Sequence, residues 1–465
     1  MSDLEPVDPA ANPFLSGRFE PVHREIDTSD VTIEGDLPSD LVGTCIRNGP
    51  NPKYTPLGSY SYPMEGDGML HAVTLGPDGV RYRNRWVQTN GLKAEERAGK
   101  ALFGGLMTPS FVDQSLLGPD PDPGWPYKIN AFINVIRHDG RYLALDEGTL
   151  AYEVTDELGT VGRYDFGGAL AKGVTAHPKR DPVTGELVVF RYDIEAPFLT
   201  WAILGPDGSV VQPETTVPDV EVGHMIHDFA ITEHHLLLLV APLVFDVDAM
   251  LAGGPLLAWK PEQGCRLAVI RRDGSGMTWV ESEAFWVWHF GNAHEQDGVI
   301  ALDYPEWTGP GLVTGDATST CRYVHARVDP ATGTFEREGM ADAIADFPRV
   351  DDRRVGRAHR YTVLTAASGR LPHEHDVLCR ADLQAGTWQT STFDGVINEP
   401  VFAPRAGGGD DELDGYYLAF VTTFDARRSS LAVWDAAELP SAPRALVHLP
   451  QRVPNGLHGN WFAAG

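Results

Sequence analysis

Gln296-Asp297-Gly298-Val299-Ile300-Ala301-Leu302 sets the fold: an Asp-Gly turn signal feeds directly into a run of strand-forming apolar residues. Asp-Gly suits a two-residue hairpin turn, because Gly carries no Cβ to clash at positive φ and Asp tolerates the left-handed region. The same punctuation recurs outward in both directions. It stands at Gly76-Pro77-Asp78-Gly79, at His138-Asp139-Gly140 before Arg141-Tyr142-Leu143-Ala144-Leu145, at Gly205-Pro206-Asp207-Gly208 and at Arg272-Asp273-Gly274. Looser versions are Asp181-Pro182-Val183-Thr184-Gly185 and Asp329-Pro330-Ala331-Thr332-Gly333. Many short strands, few amphipathic helical windows and no compositional break predict one all-β domain over residues 1–465. No WD or kelch signature repeats at fixed period, so a propeller with degenerate blades is read from strand density.

Composition narrows the function classes. The formal net charge of -28 argues against a nucleic-acid partner and against electrostatic attachment to anionic lipid. Cys45, Cys265, Cys321 and Cys379 lie far apart with no C-x-x-C, so disulfides and thiolate metal sites are not expected. Residues 1–20 lack a basic start followed by an apolar run. The most apolar stretch, Leu236 to Trp259, is interrupted by Pro242, Asp246, Asp248, Gly253, Gly254 and Pro255, which disfavours a spanning helix. A soluble, cytoplasmic protein is expected, with peripheral membrane contact left open and no protein partner predicted.

One segment departs from the strand pattern. Leu92 to Leu106 reads as a short helix, followed by an apolar, Pro-rich stretch from Met107 to Tyr127. Leu102, Phe103, Leu106, Met107, Phe111, Leu116, Leu117 and Trp125 are either ordinary core or a cap that guides a greasy substrate inwards.

Sixteen histidines are present, and four sit among apolar, strand-forming or turn residues. They are His177 in Thr175-Ala176-His177-Pro178, His227 in Met225-Ile226-His227-Asp228-Phe229, His289 in Trp286-Val287-Trp288-His289-Phe290, and His458 in Pro454-Asn455-Gly456-Leu457-His458-Gly459-Asn460-Trp461. Each alone reads more readily as a satisfied core histidine. Their separations of about 50, 60 and 170 residues match one or more propeller blades of about 40–45 residues, not the i, i+4 pairing of hydrolytic zinc helices. Four neutral imidazoles suit Fe, Zn, Cu or Ni. On Zn such a set is closed and structural, whereas octahedral Fe(II) keeps two open positions. Ligating imidazoles give their second N–H to an acceptor, often a carboxylate. Glu147, Asp346 and Glu399 are candidates in strand contexts, and each is also readable as a salt-bridge partner. His373-Glu374-His375 reads as a solvated loop.

Further motifs accompany these histidines: Arg47-Asn48-Gly49-Pro50-Asn51-Pro52, Glu65-Gly66-Asp67-Gly68-Met69-Leu70-His71, Asn292-Ala293-His294-Glu295, Phe347-Pro348-Arg349 and Glu399-Pro400. In this order and over nearly the whole chain they resemble the carotenoid cleavage oxygenase family of carotenoid, apocarotenoid and lignostilbene dioxygenases. The resemblance implies a seven-bladed β-propeller with a helical and loop cap over an axial metal site. One Fe(II) per chain would be held there by His177, His227, His289 and His458. The family's three glutamates behind the ligands fall on Glu147, Asp346 and Glu399. Asp346 is one methylene shorter, so its bond to an imidazole is expected to be longer, water-bridged or absent. Phe132 and Ile133 stand where the family often has Asn and Thr, and Ile133 is expected to shape O2 access without supplying a proton.

The implied activity is cleavage of a C=C bond of a carotenoid or apocarotenoid by O2 to give two carbonyls, the partners being an apolar alkene and O2. Lignostilbene-cleaving relatives carry a Tyr and a Lys that grip a phenol; the Tyr position falls on Trp86, and the Lys has no assigned counterpart. The alternatives are the same chemistry on a stilbene or phenylpropenoid, and a non-catalytic ligand-binding propeller with a structural metal. No Rossmann fingerprint or nucleophile elbow is present.

Overall fold

The Asp-Gly signals are hairpin turns. Asp139 and Asp297 take φ of 47° and 53°, with Gly140 and Gly298 at 72° and 81°, so both central residues are left-handed as a tight hairpin requires. The paired strands they join are Asn134–His138 with Arg141–Leu145 and Asn292–Gln296 with Val299–Trp307. The computed structural model describes residues 4–464 apart from 62, 109, 111, 118–127, 253, 315 and 371–373.

Seven sheets of four to six strands form the blades. Their inner strands, nearest the axis, are Gly459–Ala463 in blade 1, Asn134–His138 in blade 2, Lys179–Arg180 in blade 3 and Ala230–Ile231 in blade 4. Blades 5 and 6 present Asn292–Gln296 and Ala345–Arg349, and blade 7 the pair Gly395–Ile397 and Val401–Pro404. An additional two-stranded ribbon pairs Leu243–Phe245 with Leu257–Trp259. The seven-bladed propeller implied by the family resemblance is the observed fold.

Blade packing explains the most apolar stretch. Leu236, Leu238 and Val240 face Val188 and Phe190 of blade 3, while Leu237 and Leu239 belong to the cluster that holds Ala293 and Ile300 of blade 5. A strand buried on both faces has no polar side, so alternation disappears. At about 1.5–3 kcal/mol per buried aliphatic side chain, such strands stabilise the junctions between blades. Among the described residues no helix is long and apolar enough to cross a membrane.

The helix of the cap is shorter than expected. It spans Asn90–Ala98, begins where the Thr89 side chain accepts the Leu92 N–H, and stops at Gly99, whose φ of 66° ends the helical path. Phe103 and Leu106 lie beyond it and line a cavity, while Met107 and Leu116 are exposed. Phe111, Trp125 and the side chain of Leu117 lie outside the described residues.

Both ends of the chain close the ring. Gly459–Ala463 pairs with Gly43–Arg47 in blade 1, and Thr32–Gly35 pairs with Ala445–His448 in blade 7. Deleting residues 459–465 strips one of its two partner strands from Gly43–Arg47, which keeps only Met69–Gly76. The expected result is loss of most of the roughly 5–15 kcal/mol typical of a folded domain, read as the absence of a cooperative thermal transition.

Candidate metal centre

Four histidines reach the axis because each stands just before an inner strand. His177 precedes Lys179–Arg180, His227 precedes Ala230–Ile231, His289 precedes Asn292–Gln296, and His458 directly precedes Gly459–Ala463. Ligand atoms of the four all lie within 4.8 Å of one another. Nε2 of His227 stands 3.1 Å from Nε2 of His177 and 3.2 Å from Nε2 of His289. His458 is fixed through its backbone: its N–H donates to the Ile133 carbonyl at 3.1 Å, and its carbonyl accepts the Asn48 N–H at 2.8 Å. Gly456 is required two residues earlier, since a Cβ there would lie 1.5 Å from the buried Arg47 guanidinium.

Carboxylates decide which ring nitrogen carries the proton. Nδ1 of His227 meets Glu147 at 3.1 Å, Nδ1 of His289 meets Asp346 at 2.8 Å, and Nδ1 of His458 meets Glu399 at 3.0 Å. A neutral imidazole that donates from Nδ1 presents a lone pair at Nε2. The bonds to Asp346 and Glu399 fix this for His289 and His458, while Glu147 stands beside Nδ1 of His227 as a charged neighbour. His177 meets no carboxylate among the described residues.

The expectation for Asp346 is overturned. Its contact with His289 is direct and is the shortest of the three. Phe347 adopts φ of 58°, and the pairing register with Tyr361–Ala366 shifts between Asp346 and Arg349. This bulge re-aims the strand, and it accounts for a side chain one methylene shorter reaching the imidazole. Behind the other two carboxylates stand further donors. Tyr192 donates its hydroxyl to Glu147 at 3.1 Å, and Glu399 accepts the Gly459 N–H at 2.9 Å and pairs with Arg349 at 3.4 Å.

Burial governs the protonation states. It pushes His458 down to about 4, and it holds His177 well below the usual histidine value with help from the neighbouring imidazoles. Burial works against the charge on Glu399, but His458 and Arg349 outweigh it and keep the carboxyl below its ordinary value. For His227 burial is outweighed by Glu147, and its value rises. Buried Cys45, Cys265 and Cys379 are pushed up to about 12. All four cysteines are free thiols, as the sequence predicts.

Two cavities flank the centre, and one of them is lined by the histidines. One of about 650 Å³ follows the propeller axis and touches His177, His289 and His458. The other, about 680 Å³, lies beneath the cap and is lined by Tyr60, Phe103, Leu106, Phe132 and Met225, with Glu147 and Tyr192 in its wall. Phe132 borders the cap cavity. Trp86 and Ile133 line neither cavity. Trp86 pairs with Met69 and packs with Val22 and Leu92, its indole N–H donating to the Asn51 carbonyl at 3.0 Å. Ile133 packs with Leu143, Leu145 and Leu457. Sequence position alone carries no side-chain direction, which is why both were misread.

Other residues went unrecognised in the sequence. Tyr192 ends a strand like any other tyrosine, and Lys128 reaches the cap cavity with its ammonium between the carboxylates of Asp67 and Glu95. No spacing links those three. His375 bonds Thr365 at 2.7 Å and Glu374 pairs with Arg18; His373 lies outside the described residues.

The donor set fits a divalent metal. Nitrogens about 2.1 Å from one ion and at right angles stand about 3.0 Å apart, close to the 3.1 and 3.2 Å found here. Fold and centre together define a β-propeller oxidoreductase with an axial histidine cluster. The sequence model of the retinal pigment epithelial membrane protein (RPE65) family matches residues 19–463, and the chain belongs to that family. It is 30% identical to isoeugenol monooxygenase of Pseudomonas nitroreducens over 478 residues, covering 97% of this chain and 98% of the relative. It is 31% identical to carotenoid 9,10(9',10')-cleavage dioxygenase 1 of Pisum sativum over 486 residues, covering 96% and 89%. The crystal structure of Pseudomonas brassicacearum lignostilbene dioxygenase superposes with a TM-score of 0.88 at 30% identity, covering 98% of this chain and 99% of that one. The resemblance read from the motifs is borne out.

His458 makes acid stability testable. Its folded value of about 4 lies below the ordinary 6.5, so the unfolded chain binds the proton better between those values. Its contribution is full above pH 6.5 and is lost as pH falls towards 4, by up to about 3 kcal/mol. His227, with a raised value, acts above this window. Thermal melts of metal-free protein should fall over pH 6.5 to 4, and His458→Gln should flatten that slope.

Proposed function

We propose that this chain cleaves a carbon–carbon double bond of a conjugated alkene with O2, giving two carbonyl products, at one Fe(II) held by His177, His227, His289 and His458. The observation that carries the reading is the convergence of the four imidazoles, their ligand atoms within 4.8 Å of one another, with Nδ1 of His289 and His458 bonded to Asp346 and Glu399 and Nδ1 of His227 3.1 Å from Glu147. Asp346 and Glu399 hold their imidazoles in the tautomer that donates from Nδ1, and Tyr192 orients Glu147. Fe(II) bound there would supply the redox chemistry towards O2, with two positions beyond its four ligands. The overall conversion, one alkene and one O2 to two carbonyls, consumes no proton. The chain's task is accordingly to orient the alkene and exclude water, which the apolar wall at Phe103, Leu106, Phe132 and Met225 does. Residues 1–465 serve as a single catalytic domain.

The substrate reading is an apocarotenoid. The cap cavity is mostly apolar but carries one charged wall at Lys128, Asp67 and Glu95, which suits a conjugated body with one oxygenated end. The same wall favours a second reading, a hydroxylated stilbene or phenylpropenoid. The burial of Trp86 removes the argument from that position against phenolic substrates.

Two experiments test this. Protein purified without added metal should carry one iron per chain; His458→Ala should lose most of it, and Asp346→Asn should weaken metal binding about tenfold. Equal iron in wild type and His458→Ala would show the ligand set to be wrong, and full zinc occupancy without O2 consumption would favour a structural metal. Incubating the iron protein with apocarotenals, hydroxystilbenes and vinylphenols should yield aldehydes whose masses give the bond cleaved. Aldehydes from the hydroxystilbenes alone would select the second reading.

A further inference from the structure

His177 is the exception among the four histidines. Nδ1 of His227, His289 and His458 each stands within 3.1 Å of a carboxylate oxygen, and His177 meets none among the described residues. Its loop is nevertheless held. Two residues on, Lys179 reaches Asp228 Oδ1 with its ammonium at 2.7 Å. Oδ2 of the same carboxylate accepts the Phe290 N–H at 2.8 Å. Asp228 directly follows His227, and Phe290 directly follows His289. One carboxylate, its side chain 2% exposed, thus ties together the loops that carry three histidines from blades 3, 4 and 5.

Resting on the metal reading above, we propose that Asp228 is a positioning residue of the centre: through Lys179 it does for His177 what Glu147, Asp346 and Glu399 do for their imidazoles by direct contact. The physical case has two parts. A buried carboxylate left without its partners is strongly unfavourable, so both the ammonium and the Phe290 N–H are held to it. The Phe290 N–H bond to this ionised group is also stronger than a neutral one, and the Lys179 ammonium is held to the same carboxylate as an ion pair, so the three loops are tied to one another. The other backbone contacts of the His177 loop stay within blade 3 or reach back to blade 2. The His177 N–H donates to Thr175 Oγ1 at 3.1 Å, and the Ala176 carbonyl accepts from Asn134 at 2.9 Å. Neither connects His177 to His227 or His289.

The test uses full-length protein, with Co(II) as the probe. Chelator competition gives its affinity, the ligand-field spectrum reports coordination geometry, and the melt of metal-free protein reports the fold. Asp228→Asn should weaken Co(II) binding at least tenfold and alter the spectrum while the metal-free melt stays close to wild type. Lys179→Met, at a partly exposed position, should act in the same direction and more weakly, and Lys179→Arg should restore wild-type affinity. Unchanged affinity and spectrum in Asp228→Asn, whatever its melt, would overturn the proposal. Should Asp228→Asn fail to fold, unchanged values in Lys179→Met would do so instead. A wild-type protein that takes up neither Co(II) nor Fe(II) would fail the metal reading itself, a result distinct from a variant that binds as wild type does.

Discussion

Four imidazoles gathered on one point inside a protein form the constraint on which the rest of this structure depends. Nε2 atoms 3.1 and 3.2 Å apart repel unless a cation lies among them or one is protonated. Burial pushes His177 and His458 away from the protonated form. Each carboxylate beside an imidazole is itself fixed: Glu147 by Tyr192, Glu399 by Arg349 and the Gly459 N–H, Asp346 by the bulge at Phe347. Neutral imidazoles leave a bound divalent ion its full charge, and buried anions behind them compensate part of it.

The propeller makes this arrangement affordable by distributing it. Each histidine–carboxylate contact crosses from one blade to another. Glu147 of blade 2 meets His227 before blade 4, Asp346 of blade 6 meets His289 before blade 5, and Glu399 of blade 7 meets His458 before blade 1. The site therefore staples the ring it sits in. Closure by the last strand places His458 only when Gly459–Ala463 has paired with Gly43–Arg47, so a complete centre and a closed ring are the same event. Above it, the cap leaves an apolar cavity that touches the centre through Glu147 and Tyr192, and below it the axial cavity touches three of the histidines. The histidine cluster, the ring closure and the cap cavity share one layer of residues.

Much of this was legible in the sequence, for physical reasons that also mark where legibility stops. Asp-Gly turns advertise hairpins because positive φ at two successive positions restricts residue choice, and Asp139-Gly140 and Asp297-Gly298 adopt it. The four histidines stood out because imidazoles among strand formers, spaced by blades, have few uses. Their carboxylates were within reach of the same reading once the family motifs were assembled. Backbone excursions were not: the positive φ at Phe347, which brings Asp346 within 2.8 Å of His289, leaves no trace in composition. Side-chain direction was lost too. Trp86 faces the core beside Met69, a matter of pairing register that adjacency to a motif does not encode. Tyr192, Asp228 and the Lys128 triad are assembled from remote segments by the ring itself.

The central claim is that four histidines and one ion form a single centre on the propeller axis. Anomalous diffraction at the iron edge, from crystals of protein purified without added metal, tests it most directly. The account predicts one strong peak per chain among Nε2 of His177, His227, His289 and His458. No peak there, or a peak whose coordination leaves His458 out, would contradict it.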